Sequence, residues 1–263
     1  GRNRFLRMRW DVLNEAIQDG AKLPADGDWT KCLRKTQWTE SIGPEFVGMA
    51  FQFAHEADPN ALLYYNDYGL NDKNKSEIAA AMISDLRSQG VPIHGIGMQS
   101  HYSLTTTLGS VRKSLELFSS IEGLRISVTE LDIAVPNING ALSPKNEKKQ
   151  AVYYAKLFNL YKEFGDVIER VTFWGYRDDT SWINARCPMP FDKNLEPKEA
   201  FFAIMDPDGY LAQAEAEEPI VARVANGFYG TPEIDGEKDK VEIITAGTFM
   251  SRDGKFLIKY KEH

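Results

Sequence analysis

The chain has 263 residues, 43% of them apolar and 11% aromatic, with a formal charge of −7 at pH 7. That is enough apolar material for one large folded domain with an attachment, and it excludes a disordered chain. The acidic balance argues against nucleic acid as a partner, because a phosphate backbone is neutralised by clustered Lys and Arg, and favours a neutral or weakly acidic small molecule or polysaccharide.

Short β-rich apolar runs alternate with segments carrying apolar residues every three or four positions, which predicts βα repetition. The first strand is expected over Phe5 to Val12. Pro44 can open a helix at its first position, with Phe46, Val47, Ala50, Phe51 and Ala54 on the buried side and Pro59 after its end. A strand over Ala61 to Asn66 comes next. It is followed by a helix from Lys75 to Gln89 that stripes Ile78, Met82, Ile83 and Leu86 on one face and stops at Gly90. Ile93 to Gln99 and Leu124 to Glu130 read as the third and fourth strands. Ser143-Pro144, an N-cap followed by proline in the first turn, starts a helix running to Gly165, and Glu169 to Trp174 is the fifth strand.

Five βα units with polar residues at the strand ends predict an α/β fold of the (β/α)8 barrel type, whose chemistry lies at the carboxyl ends of the strands. A doubly wound sheet is the rival. No Gly-rich phosphate loop follows any strand, and GIG at Gly95 to Gly97 lies inside an apolar strand without the third glycine. After Pro207 the pattern changes. Residues 211–219, LAQAEAEEP, read as a linker between a domain over 1–210 and a short β-rich segment over 220–263. In that segment IVARVANGFYG, VEIITAGTF and KFLIKY are strand-like, with turn signals at Asp235-Gly236 and Asp253-Gly254. No apolar run reaches the roughly 18 residues of a membrane span. Residues 1–10 lack the apolar core of a signal peptide, so the chain is expected to be intracellular or to have had its leader removed. Two cysteines, Cys32 and Cys187, lie far apart, and spacing leaves their state open; four histidines without paired Cys/His spacing argue against structural zinc.

Hydrolysis of a glycosidic bond needs two carboxyl groups, one to protonate the leaving oxygen and one to attack or to activate water on the other face of the sugar. Two glutamates stand at strand ends here, Glu15 in Trp10-Asp11-Val12-Leu13-Asn14-Glu15-Ala16 and Glu130 in Val128-Thr129-Glu130-Leu131-Asp132. On composition alone a strand-end Glu is more often a solvated surface residue. In the same way a lone His101 reads as a satisfied structural histidine, and an isolated Trp174 or Trp182 as core; for Asn14 a turn residue bonding its own backbone is the lesser reading.

Against that background, WDVLNEA is similar to the acid/base motif of the family 10 endo-β-1,4-xylanases (WDVVNEA), and TELDI to their nucleophile motif. GIGMQSHY resembles their preceding strand and FWGYRDDTSW their last strand and loop. LLYYNDYG and PFDKNLEPKEAF match in the same order, so that the resemblance covers residues 5–207. It implies a retaining endo-xylanase acting on xylan or xylo-oligosaccharides with no cofactor. Glu15 is then the acid/base and Glu130 the nucleophile, their carboxyls about 5–5.5 Å apart. It further implies Asn14 as donor to the sugar 2-hydroxyl and His101 with Asp132 as holders of the nucleophile. Gln99 becomes a sugar-contacting amide, Trp174 and Trp182 walls against sugar rings, and Asn66 and Tyr68 part of the loop over the leaving-group side. The family pattern places the Glu15 strand fourth of eight. The first three βα units are therefore expected to be absent from this chain and to come from a longer polypeptide or a second one. VANGFYGTPEIDGEKDKV resembles the start of a family 9-like carbohydrate-binding module, which implies a secreted, modular enzyme, with an intracellular location left open. A retaining cellulase of related fold and a non-catalytic carbohydrate-binding or scaffold fragment are the alternatives.

Overall fold

The computed structural model describes residues 8–137, 141–217, 247–250 and 256–259. The chain divides into two units, Gly1–Tyr210 and Leu211–His263. In the first, β1 (Arg9–Asn14), β2 (Leu62–Asp67), β3 (Gly95–Met98), β5 (Arg125–Ala134) and β6 (Ile168–Phe173) pair in that order, all parallel. The short β4 (His101–Ser103) resumes the line of β3 and pairs with the second half of β5. The five strands predicted before residue 207 are all found among the described residues, with β1 running on to Asn14 and β5 to Ala134. The first three residues of the expected first strand lie outside the described residues.

Between the strands run α1 (Gln37–Ser41), α2 (Phe46–Ala57), α3 (Lys73–Ser88), α4 (Leu108–Ser119) and α5 (Pro144–Glu163). The two best-marked helices follow their local signals. Ser143 caps α5 by accepting from the Asn146 amide, with Pro144 in the first turn. In α3 the stripe Ile78, Met82, Ile83 and Leu86 is buried, and Gly90 follows with φ +83°, the left-handed conformation that ends a helix. Its N-cap is Asp72, so α3 starts at Lys73, two residues before the predicted start. Pro44 stays in the turn, and α2 begins at Phe46.

Beyond β6 lie α6 (Glu199–Met205) and α7 (Pro207–Glu217). The latter makes residues 211–217 helical, where the sequence was read as a linker. Asp206-Pro207 is a second cap-and-proline start, with the Gly209 amide donating to Asp206 Oδ1 at 3.1 Å, and the Ala- and Glu-rich run after it has high helix propensity. In the second unit β7 (Gly247–Met250) pairs antiparallel with β8 (Phe256–Lys259); β8 lies inside the predicted KFLIKY segment, and β7 overlaps the end of VEIITAGTF and runs one residue past it. IVARVANGFYG and both predicted turns lie outside the described residues.

The core packs the helices on one side of the sheet, with Ile17, Val47, Phe51, Leu63, Tyr65, Ile78, Met82, Ile96, Leu115, Phe118, Ile126 and Leu157 in a single buried cluster. Each fully buried aliphatic or Phe side chain there contributes about 1.5–3 kcal/mol. The opposite face is polar and tightly filled. Tyr64 and Asn66 on β2 lie in register with Gly95 and Gly97 on β3, and a Cβ on either glycine would collide with the Tyr64 ring or the Asn66 Oδ1. The glycines of GIG are spaces for neighbouring side chains, not a phosphate loop.

Gly95→Ala should therefore destabilise the chain by about 1–3 kcal/mol through overpacking. Gly109→Ala, inside α4 with open space around it, should be neutral or stabilising by up to about 1 kcal/mol. Urea unfolding of the two variants side by side checks both signs.

Candidate active site

Glu15 follows the end of β1 and Glu130 lies inside β5, which runs on to Ala134; both strands shift register nearby. β1 shifts register between Asp11 and Leu13, and β5 between Val128 and Leu131. Such irregularities bend a strand and re-aim its side chains. Glu15 also has φ 59°, a left-handed backbone that costs a residue with a Cβ about 1–2 kcal/mol. The strand ends are then tied together by their own amides. Glu15 N donates to Asn66 O at 2.9 Å, Gln99 N to Asp67 O at 3.0 Å, Glu130 N to Gln99 O at 3.0 Å and Trp174 N to Leu131 O at 3.1 Å.

Above these ends opens a cleft of about 620 Å³ lined by Asn14, Glu15, Tyr68, Gly69, Gln99, His101, Glu130, Trp174 and Trp182. Trp174 and Trp182 are 49% and 63% exposed, so their indole faces are available to a ligand and are not core. Beneath the cleft a continuous hydrogen-bond chain joins the two carboxyls. Asn14 Oδ1 accepts from Gln99 Nε2 at 3.1 Å and from Asn66 Nδ2 at 2.9 Å. Gln99 Nε2 also donates to Glu15 Oε1 at 2.9 Å, and Asn66 Nδ2 to Glu130 Oε1 at 2.9 Å. Because the Asn14 oxygen takes both bonds, the amide nitrogen is the end it can offer a ligand.

On the far side of Glu130, His101 Nε2 lies 3.3 Å from Glu130 Oε2, and His101 Nδ1 lies 2.8 Å from Asp132 Oδ2. Trp182 Nε1 donates to the same Asp132 oxygen at 2.8 Å, and its ring meets His101 edge-on at 5.1 Å between centroids. Burial opposes a charge on His101, but Asp132 and then Glu130 outweigh it and raise the imidazole above its ordinary pKa. A doubly protonated ring donates to both carboxylates at once.

Of the residues singled out in the sequence, Asn66 is placed differently from its expectation. It is buried at the end of β2, with its nitrogen spent on Asn14 and Glu130 and its oxygen accepting from the Thr129 hydroxyl at 2.7 Å. It does not line the cleft, whereas Tyr68 and Gly69 do. Thr129 and Gly97, which fix and accommodate Asn66, were not singled out, although a glycine pair inside an apolar strand was a signal for a close approach.

The loop carrying Trp182 has its own anchor, also missed in the sequence. Lys198 Nζ is buried and bonds Asp178 Oδ2 at 3.0 Å, Cys187 O at 2.9 Å and Met189 O at 2.8 Å, while the Met189 amide donates to Asp178 Oδ1 at 2.8 Å. Burial pushes the Asp178 carboxyl up, against the pull of Lys198. Cys187 and Cys32 are both buried, and neither forms a disulfide. Among the described residues no group of three or more His, Cys, Asp or Glu is placed to hold a metal.

The sequence profile of glycosyl hydrolase family 10 matches residues 4–207. An endo-1,4-beta-xylanase of Geobacillus stearothermophilus is 40% identical over 211 residues, which are 75% of this chain and 61% of that protein. Exoglucanase XynX of Acetivibrio thermocellus is 36% identical over 247 residues, 92% of this chain and 21% of that one. The crystal structure of TsXylA, an intracellular xylanase from Thermoanaerobacterium saccharolyticum JW/SL-YS485, superposes with a TM-score of 0.67 at 38% identity, covering 75% of this chain and 57% of that one. Variants of that xylanase have been solved with xylotriose and xylotetraose. The chain thus spans less than two thirds of the length of each of these relatives.

Two outcomes are expected. A folded-state pKa raised above the unfolded value of about 6.5 means that His101 contributes stability fully below that pH and loses the contribution as pH rises through the raised value. The stability difference between wild type and His101→Asn, measured by urea unfolding from pH 5.5 to 9, should therefore shrink as pH increases. Lys198→Met strands the buried Asp178 carboxylate and should cost about 3–5 kcal/mol, read from the same unfolding curves.

Proposed function

The chain belongs to glycosyl hydrolase family 10, and from that premise we propose that it hydrolyses β-1,4-xylosidic bonds within xylan by a retaining double displacement. The observation that carries this reading is the hydrogen-bond chain linking Glu15 to Glu130 beneath an open, indole-walled cleft. Glu15 protonates the leaving oxygen. Glu130, with Asn66 on one carboxylate oxygen and His101 on the other, attacks the anomeric carbon and forms the glycosyl-enzyme. Glu15 then deprotonates the water that releases the sugar with its configuration retained. Asn14 donates to the 2-hydroxyl, a bond that strengthens towards the oxocarbenium-like state. Gln99 places the Glu15 carboxyl, and Trp174 and Trp182 pack on the apolar faces of the sugar rings. Proton and nucleophile both come from side chains, so no cofactor is called for.

Residues 1–210 are, in this reading, five βα units of a catalytic barrel that three further units close, from the same polypeptide or a second one. Support comes from the greater length of the relatives and from the sheet. Among the described residues β1 pairs only with β2 and β6 only with β5. Large apolar side chains stand exposed at the first of these edges, Trp10 on β1 itself and Phe53 on α2, which packs against β1. Residues 220–263 are read as the beginning of a carbohydrate-binding module and the whole as a secreted protein; the intracellular relative keeps the other location in view. The match to an exoglucanase favours one second reading, action on β-1,4-glucan.

Initial rates on xylan should exceed those on soluble cellulose, and the first-formed product should be the β-anomer by ¹H NMR. Glu15→Ala should slow xylan hydrolysis by about 10²–10⁴-fold, and Glu130→Ala should abolish turnover while xylo-oligosaccharide still binds. An initial α-anomer, or full activity in Glu130→Ala, overturns the mechanism.

A further inference from the structure

The left-handed turn at Glu15 is gripped from the side of the sheet away from the cleft. Successive β2 side chains face opposite ways; Asn66 reaches the hydrogen-bond chain under the cleft, and Tyr65 enters the core behind it. Tyr65 is fully buried, and its phenol oxygen accepts from the amides of Ala16 at 3.1 Å and Ile17 at 3.2 Å, the two residues that follow Glu15. Its proton goes to Asp67 Oδ2. A phenol has one proton and two lone pairs, so the group is used completely. Consecutive amides converging on one oxygen make a small concave cradle of the kind that a left-handed residue produces. At Glu15 that residue is the one whose carboxyl borders the cleft.

The grip is itself anchored. Asp67 is fully buried, and its Oδ1 pairs with Lys75 Nζ at 2.8 Å and accepts from the Tyr68 amide at 2.9 Å. Lys75 stands in the first turn of α3 with its ammonium 3.7 Å from the centre of the Tyr68 ring. Burial, and then Asp67, hold the Tyr65 phenol well above its ordinary ionisation, so it stays a neutral donor to Asp67.

We propose that Tyr65 is a positioning residue for Glu15, fixing through the Ala16 and Ile17 amides the backbone turn that sets the angle of the Glu15 carboxyl for proton transfer. The proposal rests on the reading of Glu15 as proton donor. Removing only the hydroxyl leaves two buried amides and a buried carboxylate each one bond short. The amides recover partners by relaxing the turn, which moves the carboxyl off its line. A purely structural Tyr65 predicts something else, an equal loss on every substrate in proportion to the unfolded fraction.

Tyr65→Phe in the full-length protein separates the two. kcat/KM reports bond cleavage to form the glycosyl-enzyme, and that step needs a proton for a phenyl xylobioside but not for a 2,4-dinitrophenyl xylobioside. The expected result is a loss of about tenfold or more on the phenyl substrate, part of the 10²–10⁴-fold that general acid catalysis supplies, with little change on the dinitrophenyl one. Equal losses, or none, overturn the proposal. Amide hydrogen exchange gives a readout independent of turnover. Exchange at Ala16 and Ile17 should quicken in Tyr65→Phe while the amides of β3 keep their protection, and unchanged exchange at those two positions also overturns it. If wild type cleaves neither substrate, the reading of Glu15 as acid fails, and the exchange result still decides whether Tyr65 holds the turn.

Discussion

One carboxamide oxygen, Asn14 Oδ1, receives the amides of both Gln99 and Asn66, and those two amides reach on to Glu15 and Glu130 respectively. The acceptor lies on β1 and its two donors on β2 and just past the end of β3, so the acceptor works only if β1, β2 and β3 end at matching heights. Parallel pairing sets those heights, with Asn14 opposite Asn66 and Asn66 opposite Gly97. Networks of this kind in a low-dielectric setting strengthen when every member is satisfied and fail together when one is not. The site is thus a property of sheet register before it is a property of any single side chain.

Around that acceptor the protein accepts local costs. Glu15 sits in a backbone conformation that residues with a Cβ avoid, and two strands lose register close to the glutamates. Gly95 and Gly97 give up side-chain packing so that Tyr64 and Asn66 can fill the polar face. The buried groups that offset these costs lie one layer out. Lys75 and Asp67 stand behind the Glu15 turn, and Lys198 and Asp178 stand under the loop that carries Trp182. Trp182 in turn donates to Asp132, so the aromatic wall of the cleft and the partner of His101 share one carboxylate.

Legibility in the sequence followed the range of the interaction involved. The start of α5 was readable because Ser143 caps within three residues of itself, and the end of α3 because Gly90 adopts its own left-handed conformation. The same kind of signal at Asp206-Pro207 was available and was overridden by the look of a polar, Ala- and Glu-rich linker, a composition that favours helix once a cap starts it. Glu15 and Glu130 were visible as polar breaks in apolar runs, although β5 runs on past Glu130 to Ala134. The position of Asn66 was not, because whether a strand-end amide faces a ligand or its neighbours depends on the strands beside it.

Residue order alone specified the alternation of strands and helices, the strands that carry the two glutamates, and the acidic, aromatic character of the surface they serve. Those are consequences of periodicity, capping and composition, all acting within a few residues. Tertiary structure decided which groups share a proton or an oxygen: Gln99 with Glu15 across 84 residues, Asn66 with Glu130 across 64, Tyr65 with the amides behind Glu15 across 48 and 49. Such bonds form at distances of about 3 Å, and only the paired sheet brings residues so far apart in the chain to that separation.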